Sequence, residues 1–135
     1  MIKIAIHRKK QFASRLVPFY LIINEDITKV KNAIKDNNLF EILNNENSDI
    51  NIYPIKANQT IVFNTNKESV RIMAINNNFE NSKIYPLALT DELLIEEDKV
   101  LQLYQSKSFS TVKIELKEVD KIENNDKNNM IEYNL

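Results

Sequence analysis

Glycine is absent from all 135 residues, cysteine and tryptophan are absent too, and histidine occurs once. Each gap removes a class of chemistry. Without glycine there is no phosphate-cradling loop, no dinucleotide fingerprint and no calcium-loop pattern. Without cysteine there is no disulfide scaffold, no thiol catalysis and no thiolate zinc site. His7 stands alone, so a two-histidine metal site within one chain is impossible, and any Ser–His catalysis would have to use that residue. No apolar run approaches the roughly 18 residues that a membrane span needs. The N-terminus has the basic-then-apolar order of a signal peptide. Against that, Ile2, Ile4 and Ile6 alternate as in a strand, Pro18 interrupts the apolar run, and Asn24-Glu25-Asp26 follows in place of a small-residue cleavage site. An unprocessed cytoplasmic protein is expected, and the lack of cysteine suits a reducing compartment.

The missing glycines leave the turns to another residue. Asparagine tolerates the left-handed region better than other side-chain-bearing residues. It clusters between apolar segments, at Asn37-Asn38, Asn44-Asn45, Asn76-Asn77-Asn78, Asn124-Asn125 and Asn128-Asn129. A left-handed residue is expected among Asn24 and Asp26, and another at Asn66.

The most apolar stretch is Leu16 to Asn24, LVPFYLIIN, and it reads as a strand buried on both faces, or on one face and against a partner. The other segments are shorter and alternate. Ile2, Ile4 and Ile6 mark one strand face; Ile50 to Ile55 is an edge strand because Pro54 cannot donate to a ladder. Thr60 to Thr65 is rich in β formers, and in Ser69 to Ile75 the residues Val70, Ile72 and Ala74 oppose Arg71, Met73 and Ile75. Val100 to Gln105 and Thr111 to Val119 flank Ser106 to Ser110, with Val112, Ile114 and Leu116 set against Lys113, Glu115 and Lys117. Leu39 to Leu43 and Lys83 to Leu89 are further apolar segments.

Asn24-Glu25-Asp26 is expected to turn a hairpin into a short return strand from Ile27 to Lys31. The rival is a helix over Ile27 to Lys35, since Ile27, Val30 and Ile34 also have helical spacing behind a capping residue.

Eight to ten short strands with frequent turn signals predict an all-β chain, an antiparallel β-sandwich of immunoglobulin-like type or a barrel, with room for one short helix. Residues 1–120 form the domain and residues 121–135 a polar C-terminal tail, although Met130, Ile131, Tyr133 and Leu135 offer it something to dock with. Ile4, Phe19, Leu21, Ile23, Phe63, Ile72, Val112, Ile114 and Leu116 are the expected core.

The order "LVPFYLIIN", "DITKVKN", "TIVFNTNKESVRIMA" and "KVLQLYQ" resembles small bacterial β-sandwich proteins of the PEGA-like and carboxypeptidase-regulatory-like kind. Asn24-Glu25 and Lys67-Glu68-Ser69 would occupy their characteristic turns, without the glycines, and the Pro-Glu-Gly-Ala box is missing. The resemblance implies a non-catalytic accessory or binding module and brings no functional residues.

Net charge is only −1, so nothing draws the whole chain to nucleic acid. The charges are nonetheless sorted. Lys3, Arg8, Lys9, Lys10 and Arg15 occur with no acid before residue 25, whereas Asp91, Glu92, Glu96, Glu97 and Asp98 occur with no base. Arg8, Lys9, Lys10, Phe12 and Arg15 make the best binding feature, since cations beside an aromatic ring can hold phosphate and stack a base. Glu96, Glu97 and Asp98 form the complementary candidate. No catalytic, cofactor-binding or metal-ligating residue is expected, and His7 reads as an outward-facing surface residue. The function expected is non-enzymatic, through contact with a protein partner or a second copy; a nucleic-acid-binding accessory role for Arg8 to Arg15 is the alternative.

Overall fold

The structure is a computed structural model that describes residues 1–11, 19–35, 51–76, 89–108, 111–122 and 129–135. Nine strands and one helix occur among these residues: β1 (Ile2–Arg8), β2 (Phe19–Ile23), α1 (Ile27–Lys35), β3 (Ile52–Ile55), β4 (Thr60–Thr65), β5 (Val70–Asn76), β6 (Leu93–Ile95), β7 (Lys99–Ser108), β8 (Thr111–Glu118) and β9 (Met130–Asn134). They form two sheets, one ordered β8-β7-β1-β4-β9 and the other β3-β2-β5-β6. This is the expected β-sandwich. The four-stranded sheet is antiparallel, while the five-stranded sheet is mixed, because β1 runs parallel to β7 and β4 parallel to β9. None of the described helices is long and apolar enough to cross a membrane.

Period-2 alternation builds the core between the sheets. Ile2, Ile4 and Ile6 of β1 meet Ile61 and Phe63 of β4, Leu101 and Leu103 of β7, and Ile114 and Leu116 of β8. Across from them lie Phe19, Leu21 and Ile23 of β2 with Val70, Ile72 and Ala74 of β5. Each expected core residue is buried except Val112, whose side chain lies outside the described residues. The same is true of the expected strand Leu39 to Leu43, of nearly all of Lys83 to Leu89, and of Phe12 and Arg15.

β2 is buried on both faces, as its unbroken apolar sequence requires. Its second face, carrying Ile22, joins Met73 and Ile75 of β5 and Val30 in a smaller core, flanked by Tyr20, Ile27, Ile52 and Leu89. Val30 belongs to a helix, which corrects the expected hairpin and return strand over Ile27 to Lys31. The physical reason is local. Asn24 takes φ 57° and redirects the chain, and its Oδ1 accepts from the Arg71 backbone N–H at 3.0 Å. Asp26 then caps the helix, its Oδ1 accepting from the N–H groups of Thr28 at 2.7 Å and Lys29 at 3.2 Å. Glu25 pairs with Lys29 one turn on, at 3.5 Å. Nine residues make a marginal helix in isolation, so burial of Ile27 and Val30 over β2 and β5 is what holds it.

Three further expectations change. Asn66 is not left-handed; Asn58, at φ 62°, is, where the chain turns between β3 and β4. Strands β7 and β8 pair as far as Ser108↔Thr111, so Ser106 to Ser108 belong to β7 and not to the expected connection. Residues 121–135 do not end as a tail: Met130–Asn134 form β9 at the far edge of the five-stranded sheet.

Candidate functional site

The charges sorted along the sequence occupy unlike settings in the fold. Arg8 continues the inward face of β1 and is only 3% exposed. Its guanidinium lies 3.8 Å from the Phe19 ring centroid and donates through Nη1 to the Ile55 carbonyl at 2.9 Å. Burial pushes its pKa down to about 10. Arg8 therefore belongs to the end of the core and not to a basic surface, which corrects its assignment to an interaction patch. Lys9 and Lys10 are exposed, and Gln11 fixes the path after β1 by bonding both backbone groups of Gln105, at 2.8 and 2.7 Å.

The acidic run is interrupted by β6, so that Glu96, Glu97 and Asp98 form the exposed connection from β6 to β7. Asp98 accepts from the Lys3 backbone N–H at 2.8 Å, and Glu97 pairs with Lys99 at 3.1 Å, which also meets Glu118 at 3.1 Å. These acids adjoin the start of β1, whereas Lys9 and Lys10 follow its end. A seven-residue strand is about 23 Å long. The two segments consequently lie at opposite ends of the sandwich within one chain.

His7 is also corrected. It faces out of the sheet from β1 yet is only 5% exposed, with Nδ1 3.0 Å from the Thr60 hydroxyl on β4. Burial lowers its pKa below the ordinary 6.5. A depression of about 400 Å³ at the acidic end is lined by Lys3, Asp98, Lys99, Glu118 and Asp120 among others, whose charges largely offset one another. His7 is not among its lining residues. No group of three or more His, Cys, Asp or Glu among the described residues could hold a metal ion.

The surface that stands out is one the sequence treated as a tail. β9 is an edge strand, and its only neighbour among the described strands is β4. Leu135 donates its N–H to Asn64 O at 2.8 Å, so by alternation the backbone groups of Ile131 and Tyr133 also face β4. Those of Glu132 and Asn134 point outward, away from β4 and toward no other described strand. The Glu132 side chain turns back to accept from Asn64 Nδ2 at 2.6 Å. Tyr133 closes this side of the sandwich. Its ring lies 4.7 Å from Tyr53 on β3 and 5.8 Å from Phe63 on β4, and Tyr53 meets Phe63 edge-on at 5.0 Å. The edges of both sheets, β3 and β9, thus lie on the same side. Met130 and Ile131 there are 43% and 40% exposed.

The four edges of the described sheets differ in how they are guarded. Edge strands are blunted by proline, by charge or by brevity. β3 carries exposed Pro54, β6 is three residues long, and β8 alternates Lys113, Glu115 and Lys117 on its solvent face. β9 presents methionine, isoleucine and tyrosine with a single charge, Glu132. Its signal in the sequence was the apolar alternation Ile131, Tyr133, Leu135, which a polar approach from residue 121 obscured.

No family model and no curated protein matches the chain. Among solved structures, the crystal structure of the T6SS lipoprotein TssJ1 from Pseudomonas aeruginosa is similar at 10% identity and a TM-score of 0.40, over 90% of this chain and 97% of that one.

Proposed function

We propose that the chain is a non-enzymatic β-sandwich binding module that acts through protein contact or self-association at the open side formed by β9 and β3. The observation that carries this is the outer edge of β9, which no other described strand pairs with, bordered by exposed Met130 and Ile131 and without the proline, brevity or alternating charge of the other three described edges. An exposed edge offers backbone N–H and C=O groups to a further strand, and neighbouring apolar side chains supply the burial that makes such pairing hold. The PEGA-like resemblance implies the same kind of module. The nucleic-acid alternative loses one of its cations to the core, since Arg8 is withdrawn over Phe19.

Gel filtration with light scattering, on the chain alone and with proteins captured from its native host, tests the proposal. Glu132→Pro removes an outward N–H and no ladder bond to β4, a position where an edge strand accepts proline. Glu132→Ala keeps the N–H and, within the chain, loses the contact with Asn64. The proline variant should lose association with its melting temperature within a few degrees of the parent, and the alanine variant should keep association. Association that survives Glu132→Pro places the contact elsewhere. A shift on adding an oligonucleotide that fades with salt and is lost on Lys9→Glu with Lys10→Glu would favour nucleic acid.

A further inference from the structure

Building on that reading, we infer that the partner at the β9 edge is a second copy of the chain, joined antiparallel about Tyr133 so that two five-stranded sheets become one of ten strands. The inference comes from the symmetry of the strand itself. Ile131-Glu132-Tyr133-Asn134-Leu135 reads apolar, polar, tyrosine, polar, apolar in either direction. The outward backbone groups belong to Glu132 and Asn134, because Leu135 N–H faces β4. In an antiparallel pair, two residues exchange both backbone bonds when each presents its N–H and C=O to the other. Setting Glu132 opposite Asn134 of the second copy satisfies that rule at both ends of the junction, and Tyr133 then meets itself on the two-fold axis.

The side chains agree with this register. On the inner face Ile131 lies opposite Leu135 of the second copy, and the two Tyr133 rings adjoin the aromatic groups that each already touches, Tyr53 and Phe63. Exposed Ile131 gains an apolar neighbour. On the outer face a carboxylate lies opposite a carboxamide that can donate to it. The alternative register centred on Glu132 sets two carboxylates opposite each other, which is unfavourable. Self-pairing of this kind is isologous: the same surface meets itself and closes at two copies. Exposed Pro54 on β3 prevents the other sheet from continuing in the same way, so the junction is made by one sheet.

Two sets of variants of the full chain test this. Asn134→Lys places a cation opposite Glu132 at both symmetric positions and should tighten the dimer, whereas Asn134→Glu should weaken it, each by about two- to thirtyfold and less at high salt. Cysteine is absent from the chain, so introduced thiols are unambiguous. Glu132→Cys and Asn134→Cys, mixed as separate chains and oxidised, should give a covalent dimer, because directly opposite residues have Cα atoms about 5.5 Å apart, within reach of a disulfide. Either variant alone sets its two cysteines about 9 Å apart, too far to link. Association that Glu132→Pro abolishes, but that ignores both Asn134 variants and gives no mixed disulfide, overturns the two-fold pairing and leaves the open-edge reading standing. A chain that stays monomeric at every concentration while capturing a partner through β9 does the same. Association indifferent to Glu132→Pro overturns both.

Discussion

Successive residues of β2 should each be costly to truncate, which an ordinary half-exposed sandwich strand would not allow. Leu21 is 0% exposed between the sheets, and Ile22 is 1% exposed on the opposite face beneath α1. Replacing either by Ala deletes three carbon groups, about 2.4 kcal/mol of transfer free energy at roughly 0.8 kcal/mol each. The cavity left behind adds to this, giving a range of about 2–5 kcal/mol. Leu21→Ala should fall high in that range, since two hydrogen-bonded sheets cannot collapse onto the space. Ile22→Ala should fall near the lower end, because a nine-residue helix can settle inward. The helix supplies a second check. Ile22 and Val30 share the smaller core, so truncating both should cost less than the sum of the single changes, whereas Leu21 and Val30, in separate clusters, should add. Equilibrium urea melts followed by circular dichroism give these values if the slopes are unchanged. A cost below about 0.5 kcal/mol for Ile22→Ala would refute a buried outer face and with it the placement of α1.

The two left-handed asparagines should respond differently to glycine. Asn58→Gly should be neutral or stabilising in the same melts, since its φ of 62° favours a residue without Cβ. Asn24→Gly should destabilise, because it removes the acceptor of the Arg71 N–H; equal responses would contradict that assignment. His7 makes stability fall in acid. Its folded pKa lies below the ordinary 6.5, so the neutral form is favoured by folding. That contribution is complete above pH 6.5 and declines as the pH drops from there through the lowered folded value, where the unfolded chain binds the proton first. His7→Gln should flatten this part of the profile, and an unchanged slope would show that another group causes it.

How much of this was legible depends on the range of the interaction. Alternation within a strand is local, and it located Ile2, Ile4 and Ile6 and the two faces of β5, while an unbroken apolar run marked β2. The same residues could not reveal that β1 pairs parallel with β7, because partner choice depends on chain segments far apart in sequence. The segment from Ile27 misled because a residue that turns a hairpin can equally lead into a capped helix. The choice fell to Val30, which had an apolar sheet face to cover. Arg8 and His7 were misplaced for a shared reason. Polar residue type suggests solvent, but Phe19 and the Ile55 carbonyl receive one and Thr60 the other. The β9 edge was hidden in a similar way. Tyr133 and Leu135 look like a frayed end until Tyr53, Phe63 and the edge of β4 are brought beside them.

Amide hydrogen exchange along β9 tests the central claim most directly. In dilute monomer, Tyr133 and Leu135 should exchange slowly, because their N–H groups face β4, while Glu132 and Asn134 exchange fast. As concentration rises or a captured partner is added, Glu132 and Asn134 should become protected in step with the mass increase seen by light scattering. Association that proceeds while those two amides keep exchanging fast would contradict the claim that this edge is where the protein makes its contacts.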